Sequence, residues 1–167
     1  MGLETEYITG LDLQRLEDTL STFGNRLEFL VGSVHHVNGI PIDFDATTYE
    51  RAVASCSIGN EGDAEATFLS AYFDAQYELI QRFKPEIIGH FDLCRLFSPS
   101  LRFSNYPSVW QRIQRNIRYA VDYGALFEIN AAAFRKNWDT AYPGKDIIEV
   151  CNNPLDKISL TCGRAGF

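Results

Sequence analysis

The chain has 167 residues, the size of one ordinary domain. Hydrophobic residues make up 46% of it and charged residues 22%, which excludes a disordered or low-complexity polypeptide. The formal net charge of -7, with no basic stripe, argues against nucleic-acid binding, and no apolar run approaches the length of a membrane span.

In chain order, Gly2 to Tyr7 reads as a short strand. Leu11, Leu16, Leu20 and Phe23 recur near helical spacing, and Gly24 follows as a stop. Leu27 to Val34 is a nearly continuous apolar run, which suits a parallel strand buried on both faces. From His36 to about Gly62, with Asn38-Gly39, Pro41 and several Asp and Ser residues, the chain reads mainly as loop. A loop of that length in a compact domain is usually functional.

Asp63 to Phe83 reads as a long helix with Phe68, Leu69, Tyr72, Phe73, Leu79 and Ile80 on its apolar face. Pro85 closes it, and Glu86 to His90 is a third strand. Pro107 to Tyr123 is a helix with Pro107 near its first position and Gly124 after its end. Arg112, Arg115 and Arg118 fall on one solvated face of it. Ala125 to Ile129 is a fourth strand, Ala131 to Lys136 begins a short helix, and Lys157 to Thr161 is a fifth strand. Such alternation predicts a parallel α/β sheet or barrel, with functional groups at the C-terminal ends of the strands.

The four cysteines, Cys56, Cys94, Cys151 and Cys162, are scattered and form no CxxC pair. No signal-peptide pattern opens the chain, so free thiols in a reducing cytoplasm are expected.

The strand ends carry the chemistry. Glu4 closes the first strand, His35 the second and His90 the third, with Asp92 two residues on; Glu128 and Asn130 close the fourth. The only histidines, His35, His36 and His90, all fall at strand ends. Any one of them alone is more simply a strand cap. Three in register with Glu4 favour a site for Zn, Mn or Fe. Metal ions of this kind hold a phosphate ester and activate its attacking water. No Gly-x-Ser-x-Gly elbow, phosphate-cradling cysteine loop or Walker-type loop competes with that reading.

At these residues the chain resembles a known family. Gly2-Leu3-Glu4-Thr5-Glu6, Val31-Gly32-Ser33-Val34-His35-His36, Ile40-Pro41-Ile42-Asp43-Phe44-Asp45, Gly89-His90-Phe91-Asp92, Glu128-Ile129-Asn130 and Phe134-Arg135-Lys136 are together similar to histidinol phosphatases of the polymerase-and-histidinol-phosphatase (PHP) superfamily, in their fungal form. The resemblance implies a distorted (β/α)7 TIM-like barrel with a multinuclear metal site at its mouth. It implies hydrolysis of L-histidinol phosphate to L-histidinol and phosphate by metal-activated hydroxide, a step of histidine biosynthesis. Glu4, His35 and His90 would be metal ligands, and Arg135, His36 and Asn130 would contact substrate, with His36 alternatively only packing in its loop. Glu128 is expected to support the ligands from behind. Asp92 either orients His90 as an acceptor or caps a helix, and both readings stand.

Two features of the family pattern are missing. The family opens with a His-x-His motif and carries an Asp-x-His pair after its last strand; neither occurs here. Ala131 to Ala133 also stand where the family commonly has Ser or Thr. The expectation is therefore one incomplete domain over residues 1–167, a partial barrel without its first two strand-helix units. Its metal site would be incomplete and its activity low, and its open edge would be prone to self-association. The competing readings are a PHP phosphoesterase of other substrate, and a non-catalytic remnant or interaction protein.

Overall fold

The computed structural model describes residues 1–57, 63–135, 140–151 and 160–163. In chain order its elements are β1 (Gly2–Glu6), α1 (Leu13–Phe23), β2 (Phe29–Ser33), β3 (His36–Val37), β4 (Ile40–Pro41), α2 (Ala46–Ser55), α3 (Ala64–Phe83), β5 (Ile87–Ile88), α4 (Pro107–Asp122), β6 (Leu126–Asn130), α5 (Ala132–Arg135), α6 (Lys145–Cys151) and β7 (Leu160–Gly163). Five strands form one parallel sheet in the order β1-β2-β5-β6-β7, and β3 and β4 form a separate antiparallel pair. Parallel neighbours require long crossovers, which the intervening helices supply.

The core is built mainly by α3, whose Phe68, Leu69, Tyr72, Phe73, Leu79 and Ile80 are fully buried. Against it α4 sets Val109, Ile113, Ile117 and Ala120 at helical spacing. Phe73 of α3 meets Phe91 at 5.7 Å, and Phe91 meets Phe127 of β6 at 5.5 Å, which joins the helix to the sheet. Burying each such side chain contributes roughly 1.5–3 kcal/mol. The α3 helix ends at Lys84, which is left-handed (φ 45), and Pro85 follows.

Several expectations need correction. The stretch from His36 onward is not mainly loop. Asn38 (φ 51) and Gly39 (φ 72) are both left-handed, as a tight two-residue hairpin requires, and they join β3 to β4. Then Asp45 accepts a 2.6 Å hydrogen bond from the Thr48 amide and starts α2, whose Tyr49 and Ala52 are buried. Residues 58–62, the end of the expected loop, lie outside the described residues. The third strand is only Ile87–Ile88, because the backbone turns left-handed at His90 (φ 45). The α1 helix does stop at Gly24, as expected; with φ -56 that residue leads into a short 3-10 turn. The last strand runs Leu160–Gly163, and the expected start at Lys157 lies outside the described residues. No helix among the described residues is long and apolar enough to cross a membrane.

Candidate metal centre

Glu4 lies in β1, while His35 and His90 each sit two residues past a strand, β2 and β5. These strands are neighbours in the sheet, so their C-terminal ends converge. One ligand atom from each of Glu4, His35 and His90 lies within 4.8 Å of the others. Nε2 of His90 is 3.5 Å from Oε1 of Glu4, and the two imidazole rings are 5.5 Å apart between centres. The three side chains singled out in the sequence do meet, although Glu4 lies in the middle of β1 and not at its end as expected.

Each imidazole is braced from behind. Nδ1 of His35 lies 2.9 Å from Oδ2 of Asp43, and Nδ1 of His90 lies 2.7 Å from Oε2 of Glu128. An ionised carboxylate can only accept, so both Nδ1 atoms are assigned as donors, and each Nε2 keeps its lone pair. Nε2 of His35 is buried without a partner. A carboxylate on one ring nitrogen and a free lone pair on the other is the usual arrangement of a metal-binding histidine. On Glu4, Oε1 accepts from the Ser33 hydroxyl at 3.3 Å.

The charges fit a cation as well. Burial disfavours the charged form of His90, but Glu128, and after it Glu4, outweigh burial and hold the ring above its ordinary pKa. Burial likewise raises Glu128, yet its bonds with His90 hold it below the usual carboxylate range. The hydrogen bond from His35 lowers Asp43. Three carboxylates around two imidazoles leave the centre rich in negative charge. Two imidazoles and one carboxylate suit a divalent ion.

The backbone makes room for this. At Gly89 an added Cβ would lie 2.5 Å from the Ser33 Oγ and 3.0 Å from Val31 Cγ1. His90 then occupies the left-handed region, which costs a non-glycine residue on the order of 1–3 kcal/mol. Four bonds hold it there: its amide donates to Glu128 Oε2 at 3.3 Å, the Tyr72 hydroxyl and the Leu93 amide donate to its carbonyl at 3.1 Å and 2.9 Å, and the Gly89 amide donates to the Gly32 carbonyl at 3.0 Å.

The remaining candidates are placed differently. Asp92 neither orients His90 nor caps the 3-10 turn Leu93–Arg95 through its side chain. Its Oδ2 accepts instead from Arg95 Nη2 at 2.6 Å, Arg95 Nε at 2.9 Å and the Gly144 amide at 2.7 Å. Glu128 takes the acceptor role. His36 does not join the cluster; it lines a different cavity, with Asn38, Ala71, Asp74 and Glu78, and burial lowers its pKa. Asn130, expected to touch substrate, donates from Nδ2 to Glu128 Oε1 at 3.1 Å and accepts at Oδ1 from the Ala132 amide at 2.8 Å. Arg135 is exposed at the C-terminal end of α5. Two contributors were missed by sequence reasoning, Asp43 and Ser33. The Asn38-Gly39 turn was the available signal for Asp43: it folds the chain back, so that the Ile42 amide donates to the His35 carbonyl at 2.9 Å.

No family model matches the chain. Among curated relatives, a Schizosaccharomyces pombe protein called "Probable histidinol-phosphatase" is 49% identical over 153 residues, which are 90% of this chain and 48% of that protein. A Saccharomyces cerevisiae protein called "Histidinol-phosphatase" is 32% identical over 180 residues, 90% of this chain and 51% of that protein. The chain thus spans about half the length of the curated relatives it matches. Of solved structures, one from Listeria monocytogenes, described as a "putative histidinol phosphatase", superposes with a TM-score of 0.76 at 22% identity, covering 96% of this chain and 60% of that one. That likeness bears on the fold, which it supports as α/β with a parallel sheet.

Proposed function

We propose that this chain, kin by sequence to the histidinol-phosphatases over nine-tenths of its length, carries part of the active site of a metal-dependent phosphatase acting on L-histidinol phosphate. The observation that carries the reading is the convergence of Glu4, His35 and His90, with each imidazole braced at Nδ1 by a carboxylate. In this reading those three residues hold a divalent ion, Zn, Mn or Fe. When bound, such an ion supplies Lewis-acid activation of water and neutralises charge on the ester phosphate.

The chain's own residues do the rest. Asp43 and Glu128 keep the two imidazoles in the tautomer that can bind. Arg135 contacts the phosphate of the substrate, because its planar fork matches two phosphate oxygens. The five strands, which follow one another across the sheet in chain order, form an arc of a distorted (β/α)7 barrel, and the strand order supports this. The enzyme works in the cytoplasm, in histidine biosynthesis.

Three donors among the described residues suffice for one ion and fall short of a pair. Equilibrium dialysis of the 167-residue chain against Zn²⁺ or Mn²⁺ is therefore expected to give about one bound ion per chain. Release of phosphate from L-histidinol phosphate should be slow, and His90→Ala should abolish both. A chain that takes up no ion, or takes up as much after His90→Ala, overturns the proposal.

A further inference from the structure

We propose that Asn130 is a positioning residue that fixes His90 through Glu128 and ties that ligand to the helix bearing Arg135. The metal consequences rest on the reading of the centre given above; the positioning itself does not. Asn130 is the last residue of β6 and is 6% exposed. Its main chain is anchored on both sides. Its amide donates to the Tyr142 carbonyl at 2.7 Å and its carbonyl accepts from the Tyr142 amide at 3.1 Å. In the sheet it is in register with Gly163 of β7. Its Cα is therefore a fixed point.

The side chain then reaches two partners. Only one orientation of the amide satisfies both: Nδ2 must face the Glu128 carboxylate, which cannot donate, and Oδ1 must face the Ala132 amide, which cannot accept. Asn130 and Glu128 are two apart on one strand, so their side chains share a face. The amide holds Oε1 of Glu128, and Oε2 is left to accept from both the ring and the main chain of His90. Among the described residues no other side chain donates to Oε1 of Glu128. Without Asn130, that half-buried carboxylate is held through Oε2 alone, and its grip on the ring of His90 loosens. At its other end Asn130 starts α5, four residues long, which ends at Arg135. One amide thereby sets a metal ligand and the proposed phosphate contact against the same fixed point.

Aspartate here would keep the acceptor for Ala132 but oppose Glu128 with a like charge. Serine would keep a weaker turn onto Ala132 and lose the reach to Glu128. Both separate the start of α5 from the grip on Glu128. The test has two readouts on the full chain. In the metal-free protein, proton NMR should show a hydrogen-bonded His90 Nδ1–H, which Asn130→Ser and Asn130→Asp both lose while the circular dichroism stays native. In Zn²⁺ competition against a chromophoric chelator, Asn130→Ser should weaken binding about tenfold, as loss of a ligand's outer partners does. In a Glu128→Ala background Asn130→Ser should add nothing further, because both changes act through one bond chain.

An unchanged His90 proton in folded Asn130→Ser and Asn130→Asp overturns the inference. So do additive losses of Zn²⁺ affinity in the double variant, which would mark Asn130 as a cap for α5 alone. A wild-type chain that shows the His90 proton but binds no Zn²⁺ overturns the metal reading and leaves the positioning standing.

Discussion

Asp43 accepts a 2.9 Å hydrogen bond from Nδ1 of His35 across eight residues of chain, and so fastens the segment leading into α2 onto the end of β2. The β3–β4 hairpin makes this possible by reversing the chain between them. The bond orients the ring and also fixes the loop that presents Phe44, an aromatic side chain 80% exposed.

Asp43→Asn should therefore weaken metal binding. The amide still accepts from Nδ1, but its neutral oxygen is a poorer partner for an imidazole that must give electron density to an ion. A loss of about tenfold in Zn²⁺ or Mn²⁺ affinity is expected, with thermal stability little changed. Isothermal titration of the variant beside the native chain checks it, and equal affinities would exclude Asp43 from the centre.

Gly89→Ala tests the space behind the centre. The new Cβ would sit 2.5 Å from the Ser33 hydroxyl, which must move away and abandon its 3.3 Å bond to Glu4. Overpacking of this kind costs roughly 1–3 kcal/mol. Ion binding should weaken as well. Adding Ser33→Ala removes the closer of the two contacts and leaves Val31 Cγ1 at 3.0 Å, so urea denaturation should show part of the stability returning while ion affinity stays low. If stability and affinity recover together, Ser33 has no role in holding Glu4.

Much of this was legible in the sequence because it depends on local pattern. The apolar run from Leu27 to Val34 and the helical spacing from Phe68 to Ile80 fix the alternation of strands and helices without reference to partners. His35 and His90 were legible because parallel strands bring their C-terminal ends together whatever the details, and Glu4 joins them from within the neighbouring β1. The partners of those ligands were not. Asp92 and Glu128 are both plausible acceptors for His90, and the choice is made by the left-handed backbone at His90, which sequence does not announce. Once the chain turns there, Asp92 faces Arg95 and Gly144, and β6 brings Glu128 alongside. The α2 helix was hidden for a different reason. Its buried face is narrow, carried by Tyr49 and Ala52, and the turn-forming residues before it dominate the pattern.

The cluster of Asp92, Arg95 and Asp146 makes a prediction about stability alone. Arg95 and Asp92 are 5% and 0% exposed, joined at 2.6 Å, and Arg95 also bonds Asp146 at 2.7 Å. Arg95→Met keeps the volume but strands a buried carboxylate, at a cost of about 3–5 kcal/mol. The double variant Arg95→Met/Asp92→Asn leaves only the part-exposed Asp146 without its partner and should regain a good part of that loss. Chemical denaturation of both variants decides it: a double variant no more stable than Arg95→Met would mean that packing, not charge pairing, sets the cost.

Asp45 gives the chain a pH dependence away from the metal centre. Its carboxylate accepts from the Thr48 amide at the start of α2, and that bond holds its pKa below the ordinary carboxylate value. A group whose folded pKa is depressed stabilises the fold above its unfolded pKa, about 3.9 for Asp, and that contribution is lost as pH falls through the folded value. Asp45→Asn retains an acceptor that does not titrate, and it also gives up the favourable charge at the helix N-terminus. The native chain should therefore be the more stable of the two near neutral pH, and its advantage should shrink as carboxylates protonate. Thermal melts of both proteins from about pH 7 down to about pH 3 measure the difference, in a window set by the depressed pKa. A gap in melting temperature that stays constant across that range would show that the Asp45 bond does not distinguish the folded from the unfolded chain.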